Sequence, residues 1–358
     1  YAGVEILENP ELAGKPVLVG GHPEGRGVVA AASYAARAFG VRSAMPMSRA
    51  LVLCPEAVIL PSRFSLYVDY SRLVMEILRQ ATPLFEQMSI DEAYLDVTEQ
   101  VPTWEAAVEL ARQLQRQVRN EVGLSASLGI ASNKLIAKIA SDHDKPGGLT
   151  VVRPGQEASF LAPLPVRVLW GVGPVMAGKL AELGVTTVGD LARLPEEDLR
   201  KRFGKHGGAL KRRAQGIDRR PVVTEHQVKS ISQERTFRRD VVDPQVMHEQ
   251  LDKMSERVAR RLVKKELVAG TIGIKLRYSD FATLTRQMTL AVPTADQRVI
   301  SQTASTLLER VRSVDADRMP PHEEGSALSR EQIQLIRSWI LGGAEAPEED
   351  VPVGPSEH

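Results

Sequence analysis

The sequence predicts an α+β chain of several domains, and three observations carry that prediction. Its 358 residues, at roughly 150 per domain, suggest two domains, or three to four small ones. Through residues 1–152, short apolar strands alternate with amphipathic helices, the pattern of layered α and β structure rather than of a helix bundle. From position 229 onward, a strand, a helix, two strands and a further helix succeed one another as a βαββα unit.

The elements follow in order. Residues 15–21 and 27–32 are short apolar strands, and 33–39 continue into a helix that ends before a Pro-Ser break at 61–62. Leu66, Tyr70, Leu73, Val74, Ile77 and Leu78 recur at helical spacing over 64–82. Residues 88–97 read as a strand. Over 103–122, Ala107, Leu110, Ala111, Leu114 and Val118 line one helical face. A strand at 125–130 and a helix at 133–141 follow. From Pro163 the texture changes to short helices punctuated by glycine, and 218–229 is polar, basic and without periodicity. The βαββα unit comprises a strand at 231–237, a helix at 245–267, strands at 271–278 and 284–290, and a helix from 295 to about 311.

Composition sets the outer limits. Hydrophobic residues make up 43% and charged residues 25%, which excludes disorder as the main state. No apolar run approaches the roughly 18 residues that span a bilayer, so no membrane partner is expected. Cys54 is the one cysteine, which excludes an internal disulfide or a Cys-rich zinc site and points to the reducing cytoplasm. The formal net charge is +1, but it is unevenly spread. Residues 1–200 carry 19 basic and 23 acidic side chains, residues 201–318 carry 25 and 14, and residues 319–358 carry 2 and 8. The basic stretch suits either a polyanion-binding surface or a solvated charged face.

Chemistry-bearing residues gather in a few places. SIDEAYLDV (89–97) sets Asp91 and Glu92 side by side in a strand-forming segment. On a regular strand they face opposite ways, so they serve one site only at a hairpin turn or strand end. There, hard carboxylate oxygens suit Mg²⁺ that keeps phosphate and water in its shell; a solvated strand end is the alternative. Tyr34 and Arg37 lie three apart on one helix, and Lys145 sits in the tight turn of DKPGG (144–148), so the three together would suit a triphosphate. Gly171 and Gly173 in LWGVGPVMAGKL (169–180) allow a helix–hairpin–helix whose backbone N–H groups hold a DNA phosphate.

Five segments in order, SIDEAYLDV, SLGIASNKLIAKIASDHDKPGG (127–148), LWGVGPVMAGKLAELGVTTVGDL (169–191), KSISQERTF (229–237) and LRYSDFATLTRQMTL (276–290), resemble the Y-family translesion DNA polymerases. The similarity runs from Tyr1 to about Val311. It implies a polymerase right hand: fingers at 1–63 with the end of the first palm strand at Tyr1, palm at 64–152, helix–hairpin–helix thumb at 153–220, a linker at 221–228, and a little finger at 229–314. It further implies template-directed, error-prone nucleotidyl transfer from a deoxynucleoside triphosphate to a primer 3′-OH on primer–template DNA, with two Mg²⁺ ions and the protein acting as a monomer. By the same resemblance Asp91 and Glu92 are the catalytic metal ligands. Tyr34, Arg37 and Lys145 bind the triphosphate, and Tyr1 crowds a ribose 2′-OH. Gly171 and Gly173 approach the primer, while Lys229, Arg235, Arg277 and Arg286 line a groove along phosphates. A metal-dependent nuclease fits less well, having no use for a nucleotide pocket; a non-catalytic DNA-binding protein of the same build is the other reading.

Two departures from the family pattern yield expectations. An Asp-x-Asp segment, whose first Asp bridges both metals, stands in the family just before the position of Tyr1; the sequence begins after it, which predicts that the chain as given is inactive or nearly so while a full-length parent polymerises. At the other end, the little finger lacks a final strand candidate. A capping box at Ser329 and Gln332, with Ile333, Ile336, Trp339 and Ile340 on one face, predicts instead a helix over 329–341 in an atypical tail (315–358), followed by a disordered acidic end. Residues 332–336 also resemble a sliding-clamp peptide, a reading that helical packing of those side chains opposes.

Overall fold

The computed structural model describes residues 1–314 and 333–342. They divide into two compact units, one comprising 1–19, 31–36 and 62–225, the other 20–30, 37–61 and the chain from 226 on.

The chain opens with α1 (Ala2–Glu8), then β1 (Val17–Gly20), β2 (Val29–Ala32), α2 (Tyr34–Ala38), α3 (Met47–Leu53) and β3 (Val58–Leu60). The three strands form a sheet of order β2-β1-β3. Val17, Leu18 and Val19 are fully buried, which is why three consecutive apolar residues stand in so short a strand.

Next come α4 (Phe64–Arg79), the hairpin of β4 (Phe85–Gln87) and β5 (Ala93–Leu95), α5 (Trp104–Gln117) with a π turn at Val118–Val122, β6 (Leu128–Ile130), α6 (Lys134–His143) and β7 (Leu149–Val151). Thr103 starts α5, its hydroxyl accepting from the Ala106 N–H. Ala107, Ala111 and Leu114 then bury the apolar face, and Leu114, Val118 and Val122 pack against Ile77 of α4. Asn133 caps α6 in the same manner through Ile136 N–H. β6 runs parallel to β7, and α6 lies directly on it: a Cβ at Gly129 would stand 2.1 Å from the Ala137 carbonyl oxygen. Any side chain there would force helix and strand apart.

The thumb is a cluster of short helices: α7 (Glu157–Leu161), α8 (Pro174–Ala181), α9 (Val188–Arg193), α10 (Glu196–Phe203) and α11 (Lys205–Ala214). None is long enough to hold itself together in water, so their order comes from a shared core that includes Leu161, Leu180, Leu191, Leu199 and Leu210.

In the second unit, β8 (Ser230–Thr236), α12 (Pro244–Lys264), β9 (Ala269–Tyr278), β10 (Thr283–Thr294) and α13 (Gln297–Val314) fulfil the βαββα pattern, and β11 (Ile333–Gly342) completes it. The sheet order is β10-β9-β11-β8, with β11 antiparallel to both neighbours. This corrects the expected helix over 329–341 and the expected lack of a final strand. The reason is backbone satisfaction: β8 and β9 each offer a row of N–H and C=O groups toward the gap between them, and a strand fills both rows. Ile336 pairs with Arg235 on one side and Leu276 on the other. Pairing across two edges outweighs the helical spacing of four apolar residues, and Ile, Leu and Trp suit a strand as well. The expected capping residues Ser329 and Gln332, and the acidic end, lie outside the described residues. Ile231, Met247, Leu251, Val258, Ile272, Ile274, Leu276, Leu307 and Leu308 form the core between sheet and helices.

Candidate active site

Asp91 and Glu92 stand in the turn between β4 and β5, not within a continuous strand over 88–97. Phe85, Glu86 and Gln87 pair with Leu95, Tyr94 and Ala93. The turn closes through Met88 N–H to Glu92 carbonyl at 2.9 Å. Local polar chemistry beats the strand pattern here: the Ser89 hydroxyl donates to Asp91 Oδ1 at 2.7 Å, and Asp91 N–H donates back to Ser89 Oγ at 3.2 Å. From α4, the Ser71 hydroxyl donates to the Ile90 carbonyl and fixes the turn to the helix. Both carboxylates are therefore presented to solvent at one tip, the condition the sequence required for them to share a site.

Tyr1 lies beside this tip. Its ring stacks on Tyr67 at 4.4 Å and 14°, and meets Phe64 edge-on at 6.5 Å. Burial raises the Tyr1 phenol above its ordinary pKa, and the negative charge of Asp91 raises it further. Below the stack, Glu5 is 2% exposed; it accepts from Arg63 Nε at 3.0 Å and from the Tyr67 hydroxyl at 2.5 Å. Burial pushes the Glu5 carboxyl up, but the Arg63 and Tyr67 bonds together outweigh it and hold the group below its usual range. Burial, aided by the Glu5 bond, pushes the Tyr67 phenol up to about 12. The aromatic platform under Tyr1 is thus pinned from below by a paired, buried charge.

From the tip, a ladder of charges connects Glu92 with Lys145. Lys138 Nζ donates to Glu92 Oε1 at 2.5 Å and pairs with Asp142 at 2.9 Å; Asp142 pairs in turn with Lys145 at 2.6 Å. Burial lowers the Lys138 ammonium pKa, and the bonds to Glu92 and Asp142 more than reverse the effect. Asp142, whose burial alone would raise it, is lowered by Lys145 and Lys138. Lys138 and Asp142 were missing from the candidate set read off the sequence. Their spacing along α6, with Lys145 three residues on, was the available signal.

Tyr34 and Arg37 share α2, and Tyr34 is 56% exposed. In the thumb, Gly171 adopts φ +88°, the left-handed region that favours glycine, and Gly173 caps α8 ahead of Pro174. The hairpin of the helix–hairpin–helix therefore exists as the sequence suggested.

The four little-finger cations do not share a face. Paired residues of neighbouring strands point the same way. Arg277 pairs with Thr283 and Lys275 with Thr285, on the open face. Arg286 pairs with Ile274, which is 1% exposed in the core, so Arg286 belongs to the helix-covered face of the edge strand. Arg235 stands two alternations from buried Ile231 and falls on that covered side as well, while Lys229 precedes β8. Of the four candidates Lys229, Arg235, Arg277 and Arg286, Arg277 thus shares the open face with Lys275, while Arg235 and Arg286 stand on the other face. The alternation of Ile272, Ile274, Leu276 and Tyr278 was the sequence signal for Lys275.

Among the described residues, no helix is long and apolar enough to cross a membrane. None of them form a group of three or more His, Cys, Asp or Glu placed to hold a metal.

Comparison with known proteins gives the same picture. Residues 1–142 match the impB/mucB/samB family, 228–325 its C-terminal domain, and 167–218 the DNA polymerase-iota thumb domain. The chain is 47% identical over 310 residues to a DNA polymerase IV of Desulfatibacillum aliphaticivorans, covering 87% of this chain and 78% of that one. It is 42% identical over 320 residues to a DNA polymerase IV of Listeria innocua, covering 89% and 90%. Among solved structures, a Y-family DNA polymerase chimera, Dbh-Dpo4(243-245)-Dbh, matches with a TM-score of 0.84 at 28% identity over 95% of both chains. An insertion ternary complex of Dbh DNA polymerase matches with a TM-score of 0.65 at 28% identity over 96% of both. With its hairpin-borne carboxylates, its helical thumb and its βαββαβ module, the chain belongs to the Y family of DNA polymerases, among relatives named DNA polymerase IV.

Proposed function

We propose that, with an Asp-x-Asp segment completing its metal site as the family resemblance implies, this polymerase carries out template-directed transfer of a nucleotide from a deoxynucleoside triphosphate to a primer 3′-OH, with Asp91 and Glu92 at the reacting end of the site. The observation that carries this is the tip of the β4–β5 hairpin, where Asp91 stands near Tyr1 on its aromatic platform and Glu92 joins the Lys138–Asp142–Lys145 ladder. The donors fit Mg²⁺: they are hard oxygens at an exposed turn, where water and phosphate complete the shell. Among the described residues, Asp91 and Glu92 are the donors this chain supplies toward the pair of ions the family resemblance implies. When bound, magnesium neutralises phosphate charge and favours the ionised primer hydroxyl.

The protein's own groups divide the remaining work. Ser89 orients the Asp91 carboxylate, and Lys138 holds Glu92. Lys145 supplies an ammonium, and Tyr34 and Arg37 further donors, to the triphosphate. Tyr1, held flat on Tyr67, blocks the space of a 2′-hydroxyl. Tyr1→Ala is therefore expected to raise ribonucleotide incorporation at least about tenfold relative to deoxynucleotide, a pocket-clash discrimination worth more than about 1.4 kcal/mol. Tyr1→Phe keeps the ring and is expected to behave as the parent. Competitive incorporation assays check both; equal discrimination in Tyr1→Ala would remove Tyr1 from this role.

Primer–template DNA is gripped by the hairpin at 171–173 and by the open sheet face. Binding should fall about a hundredfold between 50 and 200 mM salt, the loss expected for about four phosphate contacts. Anisotropy titrations with a labelled duplex read this directly, and a loss under threefold would contradict it.

A further inference from the structure

The hairpin at 171–173 is held by groups that neither catalyse nor belong to the turn itself. Arg213, at the end of α11, donates from Nη1 to the Trp170 carbonyl at 2.8 Å. That guanidinium fills the space beside Gly171, where a Cβ would come within 3.1 Å of Nη1. On the next face, the Arg220 guanidinium lies 4.9 Å above the Trp170 ring, which is 42% exposed. Arg220 is not free to wander. Asp218 grips it with both oxygens, Nε to Oδ1 at 2.9 Å and Nη2 to Oδ2 at 2.8 Å. The Asp218 side chain is only 7% exposed, and its Oδ2 also accepts from Leu135 N–H at 3.1 Å, in the first turn of α6. One carboxylate therefore ties the thumb's hairpin to the palm helix that carries Lys138.

We propose that Arg213 and Arg220 are positioning residues for the DNA-gripping turn at 171–173, with Asp218 anchoring the assembly to the start of α6. Arg213 sets the peptide plane between Trp170 and Gly171, and so the direction of the N–H groups that follow. Arg220 locks the Trp170 ring that flanks the turn. The arrangement costs something: burial lowers the Arg213 pKa, and the neighbouring Arg220 charge lowers it further. Two guanidiniums stand beside one carboxylate, and each holds a different side of the same turn. The inference rests on the proposed role of that turn in holding a backbone phosphate.

The test is duplex affinity as a function of salt, using a fluorescein-labelled primer–template, the full chain and the variants Arg213→Met, Arg213→Lys, Arg220→Lys and Gly171→Ala. A positioning residue weakens binding without removing a phosphate contact of its own. Arg213→Met is expected to raise Kd about tenfold while the slope of log K against log salt stays within about 0.3 of the parent, because a direct contact would remove about 0.9 from it. Arg213→Lys, which can still donate to the Trp170 carbonyl, is expected to restore Kd to within about threefold. Arg220→Lys keeps its charge but loses the two-pronged grip on Asp218 and the flat stack, so it should weaken binding at least about threefold. A slope loss of about 0.9 in Arg213→Met makes that arginine a direct contact and overturns the proposal. So does an unchanged Kd in Arg213→Met and Arg220→Lys when Gly171→Ala binds more weakly. If Gly171→Ala also binds normally, the turn itself is not a DNA contact, and the underlying reading fails with the proposal. Melting temperatures within a few degrees of the parent confirm that folded proteins are compared.

Discussion

With an Asp-x-Asp segment completing the metal site, Asp91→Ala is expected to lower the rate of primer extension by about 10³-fold or more, the effect of losing several kcal/mol of charge stabilisation at the reacting phosphate. The substitution should leave the fold intact. Asp91 is exposed, its side-chain partner is Ser89, and the turn retains its backbone closure and the Ser71 clamp. Duplex affinity should also be nearly unchanged, because the hairpin at 171–173 and the sheet face proposed to carry that binding are untouched. Asp91→Asn tests charge against shape: the amide can still accept from Ser89, so a full loss in this variant assigns the effect to the carboxylate's charge. Single-turnover extension with saturating deoxynucleotide gives the rate, and a loss under tenfold in both variants would remove Asp91 from the reacting end.

The second large effect is on stability. Glu86→Ala is expected to destabilise the first unit by about 3–5 kcal/mol, because it strands a buried ammonium. Lys134 and Glu86 are 9% and 3% exposed and pair at 2.6 Å. Lys134 Nζ also donates to the Pro221 carbonyl at 3.0 Å, and Glu86 Oε2 accepts from Val223 N–H at 2.9 Å. The pair thus fastens residues 221–223 to both β4 and α6. At 2–4 °C per kcal/mol for a unit of this size, the transition should fall by about 10 °C. Glu86→Leu with Lys134→Met should recover more than half of that loss, since a buried pair is often replaceable by apolar groups of similar volume while a lone buried charge is not. Recovery stays incomplete because Val223 N–H loses its acceptor. A shift below 2 °C in Glu86→Ala, read by calorimetry, would contradict the assignment of a buried charge pair.

Much of the architecture was legible in the sequence, and the reasons are specific. Helices α4, α5 and α12 bury regular apolar stripes, and β9 alternates Ile272, Ile274, Leu276 and Tyr278, so period alone locates them. The turn at Asp91 was hidden because Ile90, Tyr94 and Leu95 make its flanks look like one strand; the Ser89–Asp91 exchange that breaks it is a three-residue matter. β11 was misread because its identity is settled by two partners distant in the chain, and residues 333–342 satisfy a helical spacing and a strand composition at once. Lys138, Asp142, Arg213 and Asp218 escaped for another reason. A charged side chain shows its charge in the sequence, but its partner is chosen by tertiary packing.

The place of β11 has a bearing on how the protein is made. It is the last strand among the described residues, yet it sits between β8, which starts at Ser230, and β9. During synthesis the sheet has a missing centre until residues beyond 330 leave the ribosome, so two unpaired edges wait through the whole length of α12, β9, β10 and α13. Pairings so distant in sequence make for slow closure and, while they wait, a template for another chain's strand. The βαββαβ module is thus the part of this polymerase whose assembly most depends on a nascent chain kept away from its neighbours.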